Sequence, residues 1–106
     1  MSVTITVSEG VARHLNSLSF DQVGDIDIKL RILLDAEYRR RLARHSLTGR
    51  ELARKYSMSF EEFEEQQMTR HKGYSWDAES DAIAWETAAD GIRTVRRQLA
   101  ELTAER

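Results

Sequence analysis

The alternation of apolar and polar residues at the start of the chain predicts a β-strand. In the sequence SVTITV, residues 2–7, Val3, Ile5 and Val7 alternate with serine and threonine. Strict alternation of β-branched residues is typical of a half-buried strand. A lone strand leaves backbone groups without partners, so we expect it to pair with the same strand of a second chain.

Helical periodicity replaces the alternation after Ser8, which is a suitable N-cap for a helix that places Leu15 and Leu18 on one face. The next segment, residues 25–45, fits two patterns. Its first residues alternate as in a strand, but an apolar stripe at helical spacing continues to Leu42 without Gly or Pro. Because only the helix explains the whole segment, we predict a helix capped by Asp25.

Two capping boxes, TGRE at residues 48–51 and SFEE at residues 59–62, predict two short helices, the first ending near Tyr56 and the second near Arg70. Their spacing matches a DNA-binding helix-turn-helix unit, but the second helix carries four glutamates, which repel phosphate. A helical hairpin is therefore the favoured interpretation. Its docking side chains are predicted to be Leu52, Tyr56, Met58, Phe60 and Phe63.

A heptad pattern predicts one long helix from about Asp77 to Ala104. The predicted seam residues are Ala78, Trp85, Ala88, Ile92, Val95, Leu99 and Leu102. This helix lies in the acidic half of the chain, because residues 57–106 contain 11 Asp and Glu against 6 Lys and Arg, whereas residues 1–56 contain 10 basic against 7 acidic residues. A basic first half and an acidic second half are expected to meet different partners.

Strand, helix, turn and helix over residues 2–45 resemble the ribbon-helix-helix family of dimeric repressors and antitoxins. The resemblance implies a mainly α fold with an N-terminal β-strand pairing between the protomers of a homodimer, followed by the helical hairpin and the long C-terminal helix. The predicted domains are a dimerisation module with a candidate DNA-binding face (1–46), the hairpin (47–72) and an acidic partner-binding helix (73–106).

Candidate DNA contacts are Thr4 and Thr6 on the outer face of the predicted ribbon, together with Arg40 and Arg44. Threonine can contact bases, but the ribbon lacks the Arg, Lys, Asn or Gln that usually read base edges. A dimerisation module without DNA binding is the alternative. For the arginines, the alternative is a solvated face that pairs with nearby carboxylates.

Aromatic residues between carboxylates, in residues 73–86, indicate a protein-binding surface. The predicted partner contacts are Tyr74, Trp76, Asp81, Trp85 and Glu86. Aromatic anchors surrounded by acidic groups suit a basic partner. The alternative is that both tryptophans complete the core of this chain.

Catalysis and cofactors have no support in the sequence. The three histidines are scattered, no nucleophile–base pair occurs and there is no cysteine. Asp77 and Asp81 lie one helical turn apart but have no histidine beside them, so no metal site is predicted. No apolar run is long enough to cross a membrane, and the first residues lack the basic flank of a signal peptide. We therefore expect a cytoplasmic binding protein.

Two segments extend the resemblance to the whole chain. KYSMSFEEFE at residues 55–64, and the acidic, Trp-containing residues 74–86, are similar to segments of small prokaryotic antitoxins of type II toxin–antitoxin systems. The resemblance implies that the chain binds and neutralises a cognate toxin, often a basic RNase, and autorepresses its operon by binding operator DNA. The alternative is a helical adaptor that binds another protein and never binds DNA.

Overall fold

The structure, a computed structural model, describes residues 2–18, 25–66, 69, 73 and 75–104. Its helices are α1 (Glu9–Ser17), α2 (Ile26–Tyr56), α3 (Phe60–Glu65) and α4 (Trp76–Ala104). The mainly α prediction is therefore confirmed. The chain forms two compact units, unit 1 (Met1–Ala36) and unit 2 (Glu37–Arg106), which divide within α2. The division by role at residues 46 and 72 stays a prediction.

The predicted N-terminal strand is wrong. Residues 2–7 form neither strand nor helix, and the part of the chain that the structure describes contains no sheet. Their side chains are exposed, with Val3 at 84% and Ile5 at 74%. A strand exists only through hydrogen bonds to a second strand, and all the other regular elements described here are helices. Alternation alone therefore did not produce a ribbon.

The caps predicted for the first two helices are confirmed. The Oγ of Ser8 accepts a hydrogen bond from the backbone N–H of Val11 at 3.2 Å, which starts α1. Oδ1 of Asp25 accepts from the N–H of Asp27 at 2.7 Å and starts α2. The helical interpretation of residues 25–45 is confirmed as well, since α2 covers this segment from Ile26 onward.

Unit 1 has an unusual interior, because its one buried residue among those described is Lys29, which is 4% exposed. The ammonium group donates to the carbonyl oxygens of Leu15 and Asn16, both at 3.3 Å. These carbonyls belong to the C-terminal turn of α1, where the negative end of the helix dipole favours a cation. Lys29 thus ties α2 to the end of α1.

The capping box predicted at Thr48 does not start a helix, because α2 runs unbroken from Ile26 to Tyr56. The hydroxyl of Thr48 donates to the carbonyl oxygen of Arg44, one turn earlier, at 3.2 Å. A threonine in the middle of a helix commonly makes this bond. The motif is present in the sequence, but the preceding residues continue the helix and leave no end to cap.

Residues 57–59 make the one sharp break that the hairpin requires. Ser57 has φ 54°, in the left-handed region, and the N–H of Met58 bonds to the carbonyl of Ala53 at 3.2 Å. This geometry is that of a Schellman motif, which closes the end of a helix. Ser59 then caps α3 by accepting from the N–H of Glu62 at 3.1 Å, as predicted. Most of the predicted continuation toward Arg70 lies outside the described residues.

Unit 2 has an aromatic core built by the hairpin and α4. Leu52, Phe63 and Trp85 form its buried centre. The side chains packed against this centre are Ala53, Tyr56, Met58, Phe60 and Ala82. The docking residues predicted for the hairpin are therefore confirmed. The ring centroid of Trp85 lies 5.1 Å from that of Phe63, a spacing at which aromatic pairs attract.

The heptad seam predicted for α4 is confirmed at Ala78, Trp85, Ala88 and Val95, which are buried, while its other members, Ile92, Leu99 and Leu102, are half-buried. None of the helices formed by the described residues has the length and hydropathy to cross a membrane.

Candidate protein-binding surface

Trp76 is the most exposed aromatic side chain that the structure describes, at 83%. It is the first residue of α4, directly after Ser75. The hydroxyl oxygen of Ser75 accepts a hydrogen bond from the N–H of Ala78 at 3.2 Å and so acts as the N-cap. The cap fixes the helix start and places Trp76 at its solvent-facing edge.

Ile83 lies seven residues after Trp76 and is 67% exposed. Seven residues are two helical turns, so the two side chains share one face of α4. Trp85, nine residues after Trp76, is half a turn out of phase and points into the core. The apolar pair therefore lies on the side of α4 opposite the side that this chain buries.

Two carboxylates flank the exposed apolar pair. Glu79 is three residues after Trp76, and Glu86 is three residues after Ile83; both are exposed. Among the described residues, none forms an ion pair with either side chain. The surface formed by Trp76, Glu79, Ile83 and Glu86, named here the outward face of α4, is an apolar strip with a negative margin.

Trp85, predicted as a partner contact, is 4% exposed. Its ring stacks on Tyr56 at 6.1 Å between centroids and lies 5.5 Å from Phe60. For this residue the alternative interpretation is the one that fits, because a side chain packed on three sides by its own chain is not available to a partner. For Trp76 that alternative does not hold.

Asp81, also predicted as a partner contact, is engaged within the chain. One of its oxygens, Oδ2, accepts a hydrogen bond from the ammonium of Lys55 and one from the hydroxyl of Tyr56, both at 2.6 Å. Lys55 also donates to Asp77 at 2.8 Å. These bonds tie the C-terminal end of α2 to the first turns of α4. The cluster of Lys55, Tyr56, Asp77 and Asp81 therefore fixes the part of α4 that carries the outward face.

Mutual hydrogen bonding shifts the titration of all three groups that meet at Asp81. The pKa of Lys55 is raised, chiefly by its bond to Asp77 and next by its bond to Asp81. Burial, helped by the bond to Asp81, raises the pKa of Tyr56 to about 12. Burial alone would raise the pKa of Asp81, but the bonds from Lys55 and Tyr56 outweigh it and the pKa is lowered. The cluster is therefore charged and bonded at neutral pH.

The residues predicted to contact DNA are exposed and are divided between the two units. Thr4 and Thr6 lie in the non-regular N-terminal segment of unit 1. In unit 2, Arg40 forms a salt bridge with Glu37 at 3.0 Å, while the Arg44 side chain is exposed. The predicted ribbon would have aligned the threonines toward a groove, and without it they share no regular surface.

Two predicted partner contacts remain, one on the outward face of α4 and one outside the described residues. Glu86 lies on the face, and Tyr74 lies outside the described residues. Ile83 was not among the predicted contacts, although its spacing of seven residues from Trp76 places it on the same helix face. No group of three or more His, Asp or Glu among the described residues is arranged to hold a metal ion. Asp77 and Asp81 share the Lys55 ammonium instead.

Comparison of the chain with protein-family models, with curated proteins and with solved structures gives no match.

Proposed function

We propose that the chain is an antitoxin-type protein that neutralises a toxin by binding it through the outward face of α4. One observation carries the assignment of the binding surface. Trp76 is 83% exposed and Ile83 is 67% exposed on a helix face that the core of the chain does not use. Tryptophan side chains are enriched among the residues that dominate binding energy in protein interfaces.

The chemistry of the face indicates what it would bind. An apolar strip supplies affinity by burial, and the carboxylates of Glu79 and Glu86 favour a partner that presents Lys or Arg around an apolar centre. A toxin that acts on RNA needs a basic surface to hold phosphate. By covering that surface, an acidic helix would block RNA and neutralise the toxin with no chemistry of its own.

The contacts that hold α4 in place lower the entropic cost of binding. Ala78, Trp85, Ala88 and Val95 anchor the helix in the core of unit 2, and Lys55 holds its first turns through Asp77 and Asp81. A surface that is ordered before association loses less conformational entropy when the partner arrives. The antitoxin role in particular rests on the resemblance of residues 55–64 and 74–86 to the antitoxin group.

The test is co-expression with the protein encoded by the neighbouring gene, which in an antitoxin operon would be the toxin. We expect that protein alone to arrest the growth of a bacterial host and the chain to restore growth. A Trp76→Ala/Ile83→Ala double variant should fail to restore it. Losing Trp76 alone should weaken binding by about 2 kcal/mol, roughly thirtyfold in Kd, measured by calorimetry with the purified pair.

A matched control is Leu47→Ala, because Leu47 is a 51% exposed apolar residue of α2, a different helix from the one that forms the proposed face. This variant should restore growth like the unaltered chain. Equal rescue by the double variant would exclude the outward face as the toxin site. A neighbouring protein that is harmless and does not bind the chain would refute the antitoxin role.

A helical adaptor without DNA binding is the second candidate, and the salt bridges of α2 favour it. Arg40 and Arg41 both pair with the carboxylate of Glu37, at 3.0 and 3.4 Å, so their charges are partly neutralised on their own helix. A gel-shift titration on DNA from upstream of the gene separates the two. A shift that weakens steeply with salt and in an Arg40→Ala/Arg44→Ala variant supports operator binding. The absence of any shift, with or without the partner, leaves the adaptor.

A further inference from the structure

A basic patch lies on the side of α2 that faces away from the core of unit 2. Leu47, at its centre, is 51% exposed. Arg44 and Arg50 lie three residues before and after it, and Arg40 and Arg54 lie seven residues before and after it; all four arginines are exposed. Residues at these intervals share one side of a helix. Together these five residues form what is named here the basic face of α2.

Two carboxylates lie beside or within the basic face and leave it positive. Glu37 pairs with Arg40 at 3.0 Å, and Glu51 lies four residues after Leu47. Among the described residues, none forms an ion pair with the other three arginines of the face. An exposed leucine and a carboxylate gain nothing from phosphate, whereas an apolar centre with a charged rim is usual in protein interfaces. The basic face therefore suits an acidic protein surface better than a nucleic acid.

The outward face of α4 has the same layout with the opposite charge. Its central residue, Ile83, has Glu79 four residues before it and Glu86 three residues after it. These glutamates are seven residues apart, about 10 Å along the helix, and the two arginines nearest Leu47 are six residues apart, about 9 Å. Leu47 can thus meet Ile83 while each of these arginines reaches a carboxylate.

A single chain cannot bring these two faces together. The inner sides of α2 and α4 already meet in unit 2, where Leu52 and Trp85 share the core. Leu47 precedes Leu52 by five residues, about 140° around α2, and Ile83 precedes Trp85 by two residues, about 160° around α4. Both faces therefore lie on the outside of the helix pair, and contact between them requires a second copy.

We propose that the basic face of α2 in one copy binds the outward face of α4 in a second copy. Because the contact joins two different surfaces, each pair leaves one of each kind uncovered and can add further copies. The consequence for regulation rests on the proposed function. A second copy would cover Trp76 and Ile83, the side chains offered to the toxin, so the chain would limit its own neutralising activity when it is in excess.

Sedimentation velocity of the full chain measures this contact without any toxin. At about 50 mM salt the mean sedimentation coefficient should rise with chain concentration, and at about 500 mM salt the rise should disappear. An association formed through apolar surface alone would persist at the higher salt concentration. The salt-sensitive part of the rise therefore reports the contact between the charged faces.

Charge reversal on each face makes the test specific. Arg44→Glu/Arg50→Glu and Glu79→Arg/Glu86→Arg should each lose the salt-sensitive rise, because like charges then face each other. An equimolar mixture of the two variants should recover it, since the intact face of each variant finds its complement in the other. Recovery by mixing is the result expected only when the two faces bind each other.

The matched control is Arg13→Glu/Arg96→Glu, which makes the same change in net charge at exposed positions outside both faces. It should associate like the unaltered chain. Circular dichroism verifies that each variant keeps its helices. If the reversal on α2 reduces the helix content, Arg44→Gln/Arg50→Gln replaces it and should also weaken the association.

The absence of salt-sensitive association up to the solubility limit, or a mixture that fails to recover it, would overturn the proposal. A random DNA duplex that binds the basic face of a chain that does not self-associate would overturn it too and identify phosphate as the occupant. The outcome is separate from the antitoxin role. A chain that self-associates but does not counteract the toxin loses only that role, and rescue by a chain that does not self-associate refutes only the self-contact.

Discussion

Trp76 and Trp85 are nine residues apart in the same helix and have opposite environments, 83% and 4% exposed. Both stand among carboxylates in the sequence, so composition does not distinguish them. Their helical phase does, because Trp85 falls on the seam with Ala78 and Val95 and Trp76 falls on the opposite side. The two residues thus carry separate roles, one in folding and one in the proposed binding surface.

Gly91 is a helical glycine at which an added methyl group should lower the free energy of unfolding. A Cβ on Gly91 would lie 2.5 Å from Nε2 of His45, whereas a Cβ on Gly49 would meet nothing within 4 Å. We expect Gly49→Ala to raise the free energy of unfolding by about 0.5–1 kcal/mol, because alanine favours the helix. Gly91→Ala should lower it by about 1 kcal/mol through overpacking. Urea unfolding of both variants measures the difference.

A double-mutant cycle identifies the cause of the Gly91 effect. Replacing His45 by alanine removes the ring that the new methyl group would strike, so the cost of Gly91→Ala should largely disappear in the His45→Ala background. If the cost stays the same with and without the imidazole, the close contact between these two residues is not its origin.

Asp81 should give the stability of the chain a distinct acid dependence. Its pKa is lowered in the folded state, so its contribution is present above the unfolded pKa, about 4, and is lost as the pH falls through the folded pKa. We expect Asp81→Asn to lower the free energy of unfolding at pH 7 by about 1–2 kcal/mol. The loss of stability between pH 5 and 2 should also become shallower, as measured by urea unfolding at each pH.

Glu86→Gln serves as the control for Asp81, since Glu86 is an exposed carboxylate of the same helix. It should change neither the stability at pH 7 nor the slope at acid pH. If the two variants had the same acid profile, the bonds from Lys55 and Tyr56 would not stabilise the fold.

At the scale of the elements, the break at residues 57–59 depends on two serines with different tasks. Ser57 takes a left-handed conformation, φ 54°, which costs a residue with a Cβ about 1 kcal/mol. Ser59 supplies the N-cap of α3. We therefore expect Ser57→Gly to raise the free energy of unfolding by about 0.5–1 kcal/mol. Thermal unfolding of the full chain would measure the change.

Ser59, in the same break, provides a comparison for the Ser57 variant. Ser59→Ala should lower the free energy of unfolding by about 1 kcal/mol, because the N–H of Glu62 loses its acceptor. Two neighbouring serines should thus respond with opposite signs. A destabilising Ser57→Gly would contradict the helix-closing geometry assigned to residue 57.

Capping motifs predicted the starts of helices correctly where a new helix begins. Ser8, Asp25 and Ser59 cap helices as expected, and each bonds to a backbone N–H two or three residues later. Thr48 fails because a capping box is a consequence of a helix start and does not cause one by itself. With α2 continuous on both sides, its hydroxyl found a carbonyl in the preceding turn.

For the whole molecule, the contrast between the units is the main determinant of stability. Unit 2 buries Leu52, Phe63 and Trp85 around a shared centre, while the described part of unit 1 buries no apolar residue. Burial of apolar surface is the dominant favourable term in folding. The resistance of the chain to unfolding should accordingly come from residues 37–106.

A fragment beginning at Glu37 tests this expectation. With Trp76 replaced by Phe, so that Trp85 is its one tryptophan, the fragment 37–106 should remain helical, unfold cooperatively in urea and keep the emission of a buried Trp85. Residues 1–36 as a separate peptide should be largely unfolded at micromolar concentration, by circular dichroism. A fragment 37–106 without cooperative unfolding would show that unit 1 contributes to the core of unit 2.

The sequence by itself determined where most helices lie, which residues cap them and which side chains of the hairpin and α4 are buried. These features follow from the helical period and from bonds between residues a few positions apart. Only the tertiary structure decided the state of residues 2–7, the engagement of Asp81 by Lys55 and Tyr56, and the exposure of the apolar residues described in unit 1. A periodic pattern shows which face of a segment is apolar, but what covers that face depends on distant parts of the chain or on a second molecule.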